Sequence, residues 1–303
     1  METKKQTDSL MFRCAHPGTS NNTASTTNNT MDIQPYLDSF PLPAKRGILS
    51  DINKEKTENA IQESMKDPEA VAAELLNRLI DPGTEGNDIQ ARHLLHTMAV
   101  RIPDHGRKAN DNKRAEFSLV LAKSLSGDQP DRVKAFVIRQ LQICGGEEVI
   151  PLIGEFLIVE GIADDAAQAL IAIGKVSAGQ FRKALPKVRN NPILYRNVLH
   201  GLAELADESS KKFFLEAIKN EDDECRLLGL WGLTQIGDSS TLESFLQAEE
   251  KEKGFSRIKA ASFCLQFAEK IPKGDAVKIY RHLQKTRTLS EEKYLQEIVA
   301  SAL

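Results

Sequence analysis

The sequence is poor in aromatic residues, in cysteine and in long apolar runs. Aromatic side chains make up 6% of its 303 residues, and one of them is tryptophan. No apolar stretch approaches the roughly 18 residues that a membrane span needs, and the N-terminal apolar segment Leu10–Phe12 is too short for the core of a signal peptide. We therefore expect neither a membrane span nor a secretory leader, and we expect a cytoplasmic protein.

The four cysteines are far apart in the sequence. A disulfide framework or a zinc knuckle needs clustered thiols, and the chain contains no Cys-x-x-Cys pair. Three of them lie in apolar helical contexts, which predicts buried, reduced thiols. The cysteines are Cys14, Cys144, Cys225 and Cys264.

The overall charge excludes a generally basic, nucleic-acid-coating protein. The formal net charge is −3, with 41% hydrophobic and 27% charged residues, a composition typical of a globular chain.

Residues 1–30 are small and polar, which predicts a disordered tail. Its sequons at Asn21 and Asn28 are interpreted as accidental, and Met1, Met11 and Met31 all stay open as the start codon. Residues 31–67 form a proline-interrupted transition, and the sequence leaves open whether they pack on the helices that come after residue 68.

A helical repeat begins to show after residue 68 and becomes clear from residue 131. Five units each combine an apolar helix, a short turn and a second amphipathic helix, at offsets of about 29–34 residues. Each such pair exposes an apolar face that only a neighbouring pair can cover, which predicts an all-α solenoid at 68–303. We place its clear repeats at 131–288 and a capping helix at 290–303. The first helices are predicted to begin at Asp131, Asp164, Ile193, Asp222 and Ser256, and the second helices near Glu147, Ser177, Ser209, Ser240 and Gly274.

The repeats resemble HEAT repeats, especially the short type of phycobilisome-lyase-like HEAT proteins. The unit at 222–238 carries the pattern best, with Asp222, Arg226 and Gly229 followed by Ile-Gly-Asp at 236–238. The unit at 131–145 lacks that final turn, and the unit at 164–174 lacks the arginine. The resemblance implies a non-enzymatic scaffold or adaptor that binds a protein partner through the concave face of the array, which the second helices line. It also keeps open a bilin lyase or a chaperone-like lyase subunit.

Motifs of catalysis are missing from the sequence. The di-iron HEAT enzymes that resemble deoxyhypusine hydroxylase need His-Glu pairs, and no histidine here is followed by glutamate. No P-loop, Gly-x-Ser-x-Gly, His-Glu-x-x-His or Gly-x-Gly-x-x-Gly motif occurs. His93 and His96 have helical i,i+3 spacing but no evident further ligand. We therefore expect no metal and no cofactor, and whether the chain has any enzymatic activity stays open.

One local feature stands out from the near-neutral net charge. Residues 181–200 contain five basic and no acidic residues, and the next second helix begins with two lysines. In HEAT solenoids the second helices line the concave surface, so the resemblance implies a basic stripe for an acidic segment of a partner protein. A nucleic acid is the alternative ligand, although aromatic residues suited to base stacking are absent and Trp231 is predicted to pack in the core. A solvated face of mixed charge is the other interpretation. The stripe consists of Arg182, Lys183, Lys187, Arg189, Arg196, Lys211 and Lys212.

Neutralising Arg182, Lys183 and Lys187 together tests this stripe. Removing three positive charges should weaken binding to the natural partner and flatten its dependence on salt, because screened electrostatic attraction would contribute less. Pull-down recovery over a salt series measures both effects. Unchanged recovery would contradict the prediction.

Overall fold

The computed structural model describes residues 31–42, 53–105 and 112–303, and the predicted tail at 1–30 lies outside them. The described residues are all-α, with short 3-10 turns between helices and no strand. None of these helices has the length and apolarity to cross a membrane. The helices are α1 (Gln34–Leu37), α2 (Lys54–Ser64), α3 (Pro68–Leu76), α4 (Ile89–His105), α5 (Lys113–Ser124), α6 (Asp131–Cys144), α7 (Ile150–Gly154), α8 (Ala163–Ile173), α9 (Ala178–Ala184), α10 (Pro192–Glu204), α11 (Lys211–Ala217), α12 (Asp223–Ile236), α13 (Leu242–Glu249), α14 (Gly254–Lys270), α15 (Lys273–Thr286) and α16 (Lys293–Ala302).

Local sequence accounts for where the helices begin and end. The Asp222 side chain accepts a hydrogen bond from the backbone N–H of Cys225 and so caps the N-terminus of α12. The same helix ends at Gly237, whose φ of 70° lies in the left-handed region that glycine adopts at low cost. Asn191 caps α10 in the same way, and Pro192 occupies its first turn. Each of the five predicted first helices begins within two residues of its expected position.

The helices form two rows, as expected of a solenoid. The first row contains α4, α6, α8, α10, α12 and α14, which pack against one another in succession. The second row contains α3, α5, α7, α9, α11, α13 and α15, and α5, α7, α9, α11 and α13 each pack onto the first-row helix that follows. One continuous apolar core runs between the rows. The all-α solenoid predicted from the repeats is thus confirmed.

Phenylalanines of the second row fit against glycines of the first row. Phe181 in α9 and Phe214 in α11 are fully buried. The ring of Phe181 lies against Gly201 in α10, and the ring of Phe214 lies against Gly232 in α12, so closely that a Cβ on either glycine would overlap the ring. The glycines therefore serve as sockets that set the distance between the rows.

The described part of residues 31–67 belongs to the same compact unit as the rest of the array. The unit extends from Met31 to Leu303. Ile33, Leu37, Phe40 and Ile61 are buried in the continuous core, and α2 packs against α4. The sequence left open whether residues 31–67 pack on the later helices, and the described part of this segment does so.

Ion pairs connect each helical pair to the next. In the first row, Arg139 of α6 contacts Asp165 of α8 at 2.9 Å. Arg226 of α12 donates to both carboxylate oxygens of Glu252, in the turn before α14, at 2.5 and 3.1 Å. Because these pairs bridge neighbouring repeats, they add directional contacts to the apolar seam.

A buried charge network lies at the C-terminal end of the array. Glu249 of α13 and Arg287, just after α15, are both fully buried and in contact. The Nε2 atom of His282 lies 2.7 Å from Glu249 Oε2, and burial lowers the pKa of His282. Arg257 of α14 binds both oxygens of Glu292, which holds the pKa of Glu292 below its usual value. The network ties α13, α14 and α15 to the turn before α16.

The glycine sockets predict a stability effect. Gly201→Ala should destabilise the array by about 1–3 kcal/mol, because the added methyl group overpacks a filled site against Phe181. Chemical denaturation measures the change. Gly274→Ala in α15 is the matched control, since a Cβ there meets no other atom within 4 Å, and we expect it to be neutral or slightly stabilising. Equal free energies of unfolding for the two variants would contradict the close fit of Gly201 against Phe181.

Candidate functional site

The predicted basic stripe is divided between the two rows of helices. Arg182 and Lys183 lie in α9, Lys187 and Arg189 follow it, and Lys211 and Lys212 begin α11, so these six belong to the second row and its turns. Arg196 lies in α10 of the first row. The structure therefore does not bring all seven residues onto one helical row.

Four of the seven charges are in ion pairs with the following repeat. Their partners lie 25 to 28 residues further along the chain, close to one repeat length. The guanidinium of Arg196 contacts both Asp222 and Glu224 of the next first helix. The hydrogen bond from Lys211 lowers the pKa of Asp238 to about 2. The pairs are Arg182–Asp207 at 2.5 Å, Arg189–Glu216 at 3.0 Å, Arg196–Asp222 at 3.2 Å, Arg196–Glu224 at 2.6 Å and Lys211–Asp238 at 2.6 Å.

Three lysines of the stripe have no ion pair among the described residues. Lys183 and Lys187 are exposed and line a small depression of about 90 Å³ together with Glu155. The ammonium of Lys212 lies 4.9 Å from the centre of the Phe213 ring. The basic surface that is available on the second row is therefore smaller than the sequence predicts. A double variant of Lys183 and Lys187 tests it more cleanly than a triple variant, which would also remove the Arg182 partner of Asp207.

A larger groove lies on the first row. Its volume is about 700 Å³, and it extends across α8, α10, α12 and α14. Apolar side chains of α12 and α14 and polar side chains of α8 and α10 contribute to its lining. The lining residues are Asp164, Gln168, Arg196, Asn197, His200, Glu204, Glu224, Leu227, Leu228, Trp231, Lys259 and Phe263.

Trp231 lies in this groove together with His200. The two ring centres are 5.2 Å apart at an interplanar angle of 42°, and His200 Nε2 is 3.7 Å from a carboxylate oxygen of Glu204. Trp231 is half-buried, because it packs against the core and also lines the groove. The prediction of core packing therefore describes only part of this side chain. A half-buried tryptophan in a cavity is typical of recognition surfaces.

Large apolar side chains are exposed on the helices that form the groove. Ile193 at the start of α10 is 71% exposed, and Phe255 and Ile258 in α14 are 69% and 55% exposed. Phe255 also lies under the ammonium of Lys259, which lines the groove. Exposed apolar side chains on two of the four helices that form the groove indicate a surface for an apolar ligand rather than isolated surface residues.

The charged residues that line the groove are of mixed sign. Arg196 is already engaged by Glu224. Asp164 and Glu204 lie on the α8 and α10 side, and Lys259 lies on the α14 side. The groove therefore has apolar side chains between charged residues of opposite sign, an arrangement that suits a polypeptide segment better than a compact metabolite.

The residues weighed as metal ligands or nucleophiles are engaged in packing. His93 packs edge-on to Phe40, with centres 4.9 Å apart, and His96 Nδ1 lies 2.9 Å from Gln140 Oε1. Among the described residues, no group of three or more histidines, cysteines or acids is arranged to hold a metal ion. Cys144, Cys225 and Cys264 are buried, free thiols, and Cys14 lies outside the described residues.

Comparisons with known proteins add a likeness in fold to solved structures. No protein-family model matches the chain, and no curated protein matches it. The crystal structure of the karyopherin Kap121p bound to the SUMO protease Ulp1p is similar, with a TM-score of 0.46 and 10% sequence identity. The match covers 89% of this chain and 36% of that chain, so this chain spans about a third of the karyopherin. At this identity the likeness concerns the fold alone.

The buried thiols predict resistance to modification. Burial raises the pKa of Cys144 and of Cys225 to about 11 and also raises that of Cys264, so little thiolate exists at neutral pH. In a Cys14→Ser variant, we expect no rapid reaction with a disulfide reagent until denaturant is added, when all three thiols should react. The absorbance of the thiolate that the reagent releases measures the rate of this reaction. Rapid labelling of the native chain would contradict the burial of the three thiols.

Proposed function

We propose that this protein is a non-enzymatic scaffold that binds a partner protein through the groove of the first row. The observation that carries the proposal is the joint placement of half-buried Trp231 and exposed apolar side chains on α10 and α14. Apolar surface that stays exposed in the isolated chain is released from water when a partner covers it, and this release favours binding.

The ligand of this groove is a polypeptide segment with bulky apolar side chains. Charged residues of both signs around apolar side chains resemble the polar rim and apolar core of protein interfaces. They can pair with charged groups at the two ends of a bound segment. The second-row lysines Lys183, Lys187 and Lys212 remain a proposed additional surface for an acidic part of the partner. A cytoplasmic location is part of the same proposal, and three separate reduced thiols support it.

Trp231 offers a direct readout of groove occupancy, because it is the single tryptophan of the chain. Partners captured from a lysate should change its fluorescence emission when they bind. Trp231→Ala should weaken their capture at least about tenfold, since truncating a central aromatic residue removes a large part of an interface. Tyr294→Ala is the control, because Tyr294 is a half-exposed aromatic residue of α16 that does not line the groove.

A second variant separates loss of binding from loss of stability. Ile258→Glu places a charge on an exposed apolar position beside Lys259, and Val176→Glu makes the same change at a position of almost equal exposure, in the turn before α9. Both variants should unfold at the temperature of the unmodified chain. Partner recovery should fall only for Ile258→Glu, and equal recovery of the two variants would contradict a partner surface that extends from the groove onto α14. Bilin-dependent visible absorbance, or salt-sensitive retention of an oligonucleotide, would favour the lyase or the nucleic-acid alternative.

A further inference from the structure

A second cavity lies on the first row and shares α8 with the groove. It has a volume of about 500 Å³ and lies among α4, α6 and α8. Asp165 lines this cavity, and its neighbour Asp164 lines the groove, so the two cavities follow each other along the same row. Three arginines and two aspartates contribute its charged groups: Arg92, Arg132, Arg139, Asp131 and Asp165.

Two of the three guanidinium groups are held in place by the protein. Arg92 donates to Asp88 at 2.7 Å and to the carbonyl oxygen of Ile80 at 2.8 Å, and its guanidinium stacks 4.6 Å from the centre of the Phe136 ring. Arg139 donates one hydrogen bond to Asp165 at 2.9 Å. These contacts orient the two side chains before any ligand arrives, which lowers the entropic cost of binding.

Arg132 differs from the other arginines near the starts of first-row helices. Arg196, Arg226 and Arg257 are each paired with a carboxylate of the following repeat or turn. Arg132 is exposed, and its contact among the described residues is a 3.4 Å hydrogen bond to the carbonyl oxygen of Pro82. Asp131 precedes it in the same helix, but neighbouring residues of a helix do not face each other. The planar donor face of Arg132 is therefore left for a carboxylate from outside the chain.

We infer that this cavity binds an acidic stretch of the same polypeptide segment whose apolar side chains occupy the groove. The inference rests on the proposed function. Charge complementarity selects the acidic stretch, because one of the three guanidiniums that line the cavity has no carboxylate partner and the other two are fixed beside it. The shared helix α8 makes one continuous segment the occupant of both cavities. Recognition then has two parts, a carboxylate at Arg132 and bulky apolar side chains at Trp231.

A displayed library of random peptides, selected against the full chain, tests this assignment. Peptides enriched by the unmodified chain should contain acidic residues at least about threefold more often than peptides selected by Arg132→Gln. Arg281→Gln is the matched control, since it removes the same charge from an exposed second-row position in α15 that lines neither cavity, and its selected peptides should keep the acidic enrichment. Equal acidic enrichment for unmodified chain and Arg132→Gln, or none for either, overturns the inference.

Binding measurements on the most enriched peptide give the second arm. Arg132→Gln should weaken its binding about fivefold, with a smaller loss at high salt, as expected for an exposed charge-assisted pair. The same peptide with glutamine in place of its acids should bind both forms equally. An unchanged affinity for the acidic peptide, or an equal loss for the glutamine peptide, contradicts the inference. Displacement of the peptide by oligothymidylate at lower concentration than by oligoglutamate also overturns it, in favour of a phosphate-binding site.

The two proposals fail in different ways. If enriched peptides depend on Arg132 but leave the emission of Trp231 unchanged, the groove proposal fails while the acidic site stands. If they alter Trp231 emission and are indifferent to Arg132→Gln, the groove stands and the acidic site fails. Because Arg132 is exposed, the thermal unfolding temperature of Arg132→Gln should equal that of the unmodified chain. A lower temperature would reveal a folding defect instead of a lost contact with the ligand.

Discussion

The structure depends on one constraint, which is that a pair of short helices cannot bury its own apolar face. Each pair is completed only by its neighbours, so the first-row helices pack in succession and the second-row helices dock onto the first helix that follows them. The glycine sockets at Gly201 and Gly232 bring this seam to close contact by admitting the rings of Phe181 and Phe214. The array is therefore stabilised by contacts between neighbouring pairs, which repeat along one continuous core.

The same constraint explains where the charges are. A side chain at the edge of one pair lies opposite the next pair, and Arg139, Arg182, Arg226 and Lys211 each find a carboxylate 25 to 27 residues further along. Such pairs direct the stacking of repeats and are modest contributors to stability when exposed. Charge that is used between repeats is not available to a partner, so the strongest basic block of the sequence is not the most open surface of the molecule.

The first row keeps surface that is open to a partner. There the core positions are satisfied, and the side chains that point away from the seam have no partner repeat to cover them. Trp231 and His200 line the groove on this row, exposed apolar residues lie on α10 and α14, which also form the groove, and the arginine cavity lies among α4, α6 and α8. The proposed function and the two-part recognition both follow from this division between surface used for stacking and surface left over.

The sequence by itself determined the architecture, because helical periodicity, caps such as Asp222 and stops such as Gly237 act within a few residues of the chain. The start of each first helix, the two-helix repeat and the isolation of the thiols could all be predicted from it. The candidate site could not, because whether Arg196 is free or paired depends on Asp222 and Glu224 of the next repeat, and whether Trp231 is in the core or at its edge depends on the rotation of α12 against α10 and α14. A recurrent acid one repeat after each base was the signal available for the pairs, and apolar Ile193, Phe255 and Ile258 at the starts of helices were the signal for exposed apolar surface on the helices that form the groove. Only the tertiary structure decided between charges that join repeats and side chains that face a partner, since that distinction is made by contacts between helices distant in sequence.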